Sequence, residues 1–155
     1  MNRYPQVLVA CLLACTAQAT LAAGSPGVER HAQGFLNALA AGGGKPLEQL
    51  SPADARAVLV GVQAGASLES LKVDIGEKTI KAAGHDIKLT VVRPAGAHGT
   101  LPVSMFFHGG GWVLGDFSTH ERLVRDLVVG SGAAAVFVNY TRSPEARYPV
   151  AMNEA

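Results

Sequence analysis

The sequence predicts an α/β fold, a mostly parallel sheet flanked by helices, and three observations carry that expectation. Two short apolar runs, Val103 to Phe107 and Ala133 to Val138, lack the alternation of a strand with one wet face. Such runs suit strands covered on both faces, as in a parallel sheet. Between them, Thr119 to Val129 has helical spacing, with Leu123, Leu127 and Val128 on one side and Thr119 as the cap. Strand, helix, strand in this order is a βαβ unit, for which the crossover is expected to be right-handed. Composition agrees: 48% hydrophobic and 16% charged residues argue for a packed globular chain.

The remaining elements follow along the chain. Gly24 to Gly27 is a short linker. Val28 to Ala41 reads as a helix, stopped by Gly42-Gly43-Gly44. Ser51-Pro52-Ala53-Asp54 opens a second helix that runs to about Gln63. Ser51 is the cap, Pro52 fits the first helical position, and Asp54 sits where a capping-box acid belongs. Leu71 to Ile75 and Ile87 to Val91 alternate apolar and polar residues, as paired strands do, with Ala83 to Asp86 as the turn between them. Pro94 to Thr100 is a polar loop, and Met152 to Ala155 begins a further helix.

The first 23 residues read as a targeting segment. Arg3 gives a positive start, Val7 to Ala14 is apolar but too short to span a bilayer, and Ala17-Gln18-Ala19 is a small-x-small cleavage site, with Ala23 as a later one. The alternatives are a buried N-terminal helix and a lipoprotein signal in which Cys15 is lipidated. Cys11 and Cys15 both lie in this segment, so the chain after it has no disulfide and no thiolate chemistry. Of 13 basic residues only Arg3 falls here, which leaves 12 of each sign beyond it. That balance argues against a nucleic-acid or polyanionic partner.

The chemistry-bearing motif is His108-Gly109-Gly110-Gly111-Trp112. Glycines after an apolar strand let backbone N–H groups face a cavity with no side chains in the way. Such donors can hold the negative oxygen that forms when a nucleophile attacks a carbonyl. Three glycines alone would be a weak signal, and Gly42-Gly43-Gly44 reads only as a linker. Gly44-Lys45 fails as a phosphate loop, because no glycine precedes it at the required distance and Pro46 follows. What distinguishes Gly109 to Gly111 is the buried strand before, the aromatic after, and the βαβ unit around them.

The stretch from Val103 to Ala155 resembles the bacterial hormone-sensitive-lipase group of α/β-hydrolases. The matching pieces are Phe107 to Trp112, Gly115, Val138-Asn139-Tyr140, Ser143-Pro144-Glu145, Tyr148-Pro149, and Glu154 in the next helix. The family usually has Asp-Tyr-Arg-Leu-Ala-Pro-Glu where this chain has Asn139 to Glu145, a departure that suggests a sub-branch. A weaker match extends back to Ser51. The resemblance implies the N-terminal part of an α/β-hydrolase fold. It divides the chain into a leader over 1–23, cap or lid helices over 24–66, and a truncated hydrolase core over 67–155. It also implies acyl-ester substrates and a Ser-Asp-His triad. Gly110 and Gly111 would then supply oxyanion donors, with Gly109 letting the turn form.

No Gly-x-Ser-x-Gly occurs in the 155 residues; Gly65-Ala66-Ser67-Leu68-Glu69 begins like one but lacks the second glycine. Nucleophile, acid and base are therefore expected outside this sequence. His108 is read as structural, holding the glycine loop, with general base as the alternative. His31, His85, His98 and His120 lack metal-ligand spacing, and neither a cofactor nor a metal is expected. Trp112 is either a pocket wall that touches substrate or a core residue. Asp116, Glu121 and Asp126 are expected to cap or solvate their helix; Tyr140, Arg142 and Glu145 are expected to fix the loop after their strand. The functional expectation is the N-terminal portion of an exported serine carboxylesterase, periplasmic or secreted, acting on short or medium acyl esters, with no membrane span. The alternatives are a non-catalytic ligand binder on the same scaffold and a stand-alone interaction protein.

Overall fold

In the computed structural model, residues 27–82 and 84–155 are described; the expected leader and Cys15 lie outside them. The chain divides into two units between Pro46 and Leu47. The first holds helix α1 (Arg30–Ala41), whose N-terminal amides at His31 and Ala32 donate to the Glu29 carboxylate at 2.8 and 3.2 Å.

The second unit begins with a 3-10 turn at Leu47–Gln49 and helix α2 (Pro52–Gln63). Helix α2 starts where its sequence says it should. Ser51 Oγ accepts from the Asp54 amide at 3.2 Å, and Pro52 takes the first turn, where a missing N–H costs nothing. The Asp54 carboxylate accepts from the Ser51 hydroxyl at 2.6 Å, not from the cap amide as a capping box would have it.

Strands β1 (Val73–Ala82) and β2 (His85–Pro94) form an antiparallel hairpin closed by a tight turn with Gly84 at φ +80°. Both are longer than the alternating segments in the sequence, because their ladder runs unbroken from Val73 opposite Pro94 to Ala82 opposite His85. Strand β3 (Val103–Phe106), helix α3 (Phe117–Ser131) and strand β4 (Ala134–Asn139) make the expected βαβ unit, and helix α4 (Val150–Glu154) follows. The sheet order is β1-β2-β4-β3. It is a mixed sheet: β3 pairs parallel with β4, and β2 pairs antiparallel with β4.

Strand β4 therefore has a neighbour on each side, and Ala134, Ala135, Phe137 and Val138 are buried. Its two faces feed two clusters. Val92, Ala135 and Phe137 pack with Val124 and Val128 of α3; Ile87, Leu89, Val138 and Tyr140 pack together on the other side, with Ala151 of α4. Strand β3 behaves differently from its sequence. Val103 and Met105, and Phe107 just beyond the strand, are 60, 53 and 48% exposed, because Phe106 on the opposite face packs toward α3 while, among the described residues, no helix covers the face they share.

Helix α3 carries two corrections. Its cap is Asp116, not Thr119. The Asp116 carboxylate accepts from the Thr119 amide at 3.1 Å while the Thr119 hydroxyl accepts from the Asp116 amide at 2.9 Å, a capping box with the acid first. Its buried face is Val124 and Val128, spaced by four, while Leu123 and Leu127 turn about 100° away and stay half-exposed. Gly132 ends the helix in the left-handed region at φ +70°. Glu121 and Asp126 pair with Arg125 and Arg122 along the outer side. No helix among the described residues is long and apolar enough to cross a membrane.

The exposed apolar edge has a consequence for residues 24–155 expressed as an isolated polypeptide. An open, uncharged strand edge templates pairing with other chains, and the exposed Leu123, Leu127 and Val129 add to it. Aggregation or strong binding of a hydrophobic dye is the expected outcome. A monomer with a sharp cooperative melt and no dye binding would contradict it.

Candidate active site

The site grows from the end of β3. The chain leaves the sheet at His108, which is 6% exposed. Its ring lies between two aromatic rings, 5.3 Å from Phe137 at 3° and 4.2 Å from Tyr140 at 10°. Nδ1 is 2.8 Å from the Gly109 carbonyl oxygen, which can only accept, so Nδ1 carries the proton. The Tyr140 hydroxyl, 3.1 Å from Nδ1, donates to the His108 carbonyl at 2.6 Å. Burial pushes the imidazole pKa down and keeps the ring neutral. This geometry suits the structural role expected for His108.

Beyond His108 the backbone reverses. Gly110, Gly111 and Trp112 have φ of +119°, +61° and +63°. The Gly110 carbonyl accepts from the Val113 and Leu114 amides at 3.2 and 2.9 Å. A Cβ on Gly110 would lie 2.2 Å from the Leu114 carbonyl oxygen. One on Gly115 would lie 2.7 Å from His108 Nδ1. Gly109 differs: its backbone is unstrained and a Cβ there would meet nothing within 4 Å. It shapes the loop through its carbonyl, while the turn itself demands glycine at positions 110 and 111.

Among the described residues, no protein acceptor meets the amides of Gly110 and Gly111. These two residues line a cavity of about 400 Å³ with Leu47, Glu48, Leu50, Pro52, Ala55, Val113 and Leu114. Apart from Glu48, the side chains around it are apolar. Trp112 is 45% exposed, tilted against Tyr140 at 5.2 Å, and its carbonyl accepts from the Ser143 amide at 2.8 Å. It does not line that cavity.

The loop after β4 is held as its charges predicted. Arg142 donates to the Gly115 carbonyl and lies 3.6 Å from the Asp116 carboxylate. The Thr141 amide donates to the buried Glu154 carboxylate at 2.6 Å. The residue that sequence reasoning missed is Arg56, on α2. Its Nε donates to the Val113 carbonyl at 2.7 Å and one terminal nitrogen to the Ser143 carbonyl at 2.8 Å. Its two terminal nitrogens also grip the Glu145 carboxylate at 2.6 and 2.9 Å. These hydrogen bonds pull the Glu145 pKa down to about 2. A lone arginine in the apolar run from Ala55 to Val62 was the available signal. Among the described residues, no group of three or more His, Cys, Asp or Glu side chains is placed to hold a metal ion.

Residues 104–155 match the family described as alpha/beta hydrolase fold. Over that stretch the chain is similar to the hormone-sensitive-lipase-like α/β-hydrolases. It is 66% identical to a thermostable esterase from Pseudomonas putida, with a TM-score of 0.78 over 84% of this chain and 41% of that one. It is 37% identical to an esterase from Rhizomucor miehei, with a TM-score of 0.71 over 84% and 41%. Carboxylesterase NlhH of Mycobacterium tuberculosis is 38% identical over 82 residues, which is 52% of this chain and 26% of that protein. The chain thus spans less than half the length of these relatives.

Two outcomes are expected in protein made from the full reading frame. Gly110→Ala places a Cβ against backbone at a left-handed position and should cost more than about 3 kcal/mol in urea unfolding, whereas Gly109→Ala should cost under about 1 kcal/mol. Equal losses would contradict the turn geometry. His108 titrates below its unfolded value of about 6.5. Only the unfolded ring takes up a proton near that pH, so its contribution is complete above about pH 6.5 and is lost as the pH falls below it. The melting temperature should therefore fall more between pH 7 and pH 5 in the wild type than in His108→Asn.

Proposed function

We propose that this chain supplies the oxyanion-binding part of an exported serine carboxylesterase. The observation that carries the reading is the pair of Gly110 and Gly111 amides, without a protein acceptor among the described residues and at the edge of a cavity that is apolar apart from Glu48. When a serine oxygen attacks an ester carbonyl, the carbonyl oxygen gains a negative charge. Two pre-aimed N–H dipoles stabilise that charge without having to reorganise. A neutral His108 behind the loop adds no competing charge, and the aromatic stack fixes where the loop begins. The similarity to esterases supports the same reaction class.

In this reading the reaction runs through an acyl-enzyme. The Ser, its imidazole base and the orienting acid come from residues outside these 155, since no Gly-x-Ser-x-Gly is present. Gly110 and Gly111 act twice, in acylation and in deacylation, because each passes through a tetrahedral oxyanion. The lining, apolar apart from Glu48, favours the acyl or alcohol part of a small uncharged ester. Residues 1–23 serve as the export leader.

The test is hydrolysis of p-nitrophenyl acetate and butyrate by protein from the full reading frame. Activity abolished by a serine-directed phosphonate is expected, and the 155-residue polypeptide alone should show none above an inert-protein control. A full-length protein that binds esters without cleaving them would replace the enzyme by a ligand binder. Export is checked by N-terminal sequencing of periplasmic protein, which should begin after residue 19 or 23, at the small-x-small sites. An intact Met1 in the cytoplasm would refute it, and a lipidated Cys15 would move the protein to a membrane anchor.

A further inference from the structure

Arg56 uses four hydrogen bonds on three acceptors that lie 57, 87 and 89 residues further along the chain. The peptide between Val113 and Leu114 is the informative one. Its carbonyl accepts from Arg56 Nε, and its N–H donates to the Gly110 carbonyl at 2.9 Å. A peptide is planar, so fixing its oxygen also aims its N–H. Gly110 is thereby held through its carbonyl. Ser143 repeats the arrangement at one remove: its carbonyl accepts from Arg56, and its amide donates to the Trp112 carbonyl. The Glu145 carboxylate holds the guanidinium plane in the orientation that both carbonyls need.

The Arg56 side chain is 16% exposed and that of Glu145 53%, so the forked pair and its two backbone bonds also add to stability. What the fork supplies besides is geometry, since it joins α2, the glycine loop and the loop after β4 at one point. We infer that Arg56 is a positioning residue for the Gly110 and Gly111 amides, setting their distance from the oxyanion by tying α2 to both loops. This rests on the esterase reading above.

The experiment compares wild type, Arg56→Lys and Glu145→Gln in protein from the full reading frame, with kcat expressed per active site titrated by a phosphonate. Lysine keeps the charge and most of the stem but loses the fork. Arg56→Lys should lower kcat about 10- to 100-fold, the range for reacting groups displaced by up to about 1 Å, with KM changed less than about threefold. Glu145→Gln should lower kcat by about three- to tenfold, because one carboxamide oxygen still accepts. A trifluoromethyl ketone forms an oxyanion at the site, and the matching alcohol does not. Affinity for the ketone should fall with kcat while affinity for the alcohol stays constant. A purely structural role would lower the titrated fraction or both affinities together, and either result overturns the inference. So does an unchanged kcat per site in Arg56→Lys, or failure of both variants to fold. An inactive wild type would sink the esterase reading itself, whereas an active wild type with unaffected variants sinks only the role of Arg56.

Discussion

The site depends on one close approach, the Gly110 α-carbon against the Leu114 carbonyl. No side chain fits there. Because none is present, the Gly110 carbonyl can accept two amides at once and the chain reverses over Gly110 to Leu114. With that carbonyl engaged, the amides of Gly110 and Gly111 have no protein acceptor among the described residues. The same reversal places Trp112 at φ +63°, a conformation that costs a non-glycine residue about 1–3 kcal/mol. Its carbonyl then meets the Ser143 amide, which links the glycine loop to the loop after β4.

The turn is useful only on a rigid base. Strand β4 supplies it, with neighbours on both sides and Phe137 fully buried beneath α3. Phe137 and Tyr140 sandwich His108, so the carboxyl ends of the two parallel strands are locked to each other through aromatic faces. Ligands in open α/β sheets bind outside the carboxyl ends of strands. His108 and Tyr140 sit at those ends, and the glycine loop projects from there.

Sequence pattern reads local chemistry well and distant contacts poorly. The α2 cap at Ser51, the βαβ order and the glycine motif were all legible, because each depends on residues within a few positions of one another. The face of α3 was not. Leucine at 123 and 127 and valine at 124 and 128 form adjacent stripes, and only the sheet selects the valines. The apolar run of β3 reads as covered on both faces, and pairing alone makes it an edge. Three consecutive glycines look equivalent in sequence, yet Gly109 has room for a side chain and Gly110 has none. Arg56 stands in helix α2 with no partner nearby in sequence, so its role appears only when Val113, Ser143 and Glu145 are brought to it.

Those contacts answer a difficulty that any site built on loops must meet. Donors aimed at a developing charge need placement within about half an ångström, and loops lack the ladder of hydrogen bonds that fixes a strand. Here guanidinium groups substitute for the ladder. Arg56 holds the carbonyl of the Val113–Leu114 peptide, whose N–H is bound by Gly110; Arg142 holds that of the Gly115–Asp116 peptide, whose N–H is bound by the Thr119 hydroxyl. Each peptide is thus gripped at both ends, one toward the turn and one toward helix α3. Hydrogen bonds to charged groups contribute about 1.5–3 kcal/mol, enough to offset the strain at Trp112. The loop thereby gains rigidity through its carbonyls, which leaves the Gly110 and Gly111 amides without a protein acceptor among the described residues.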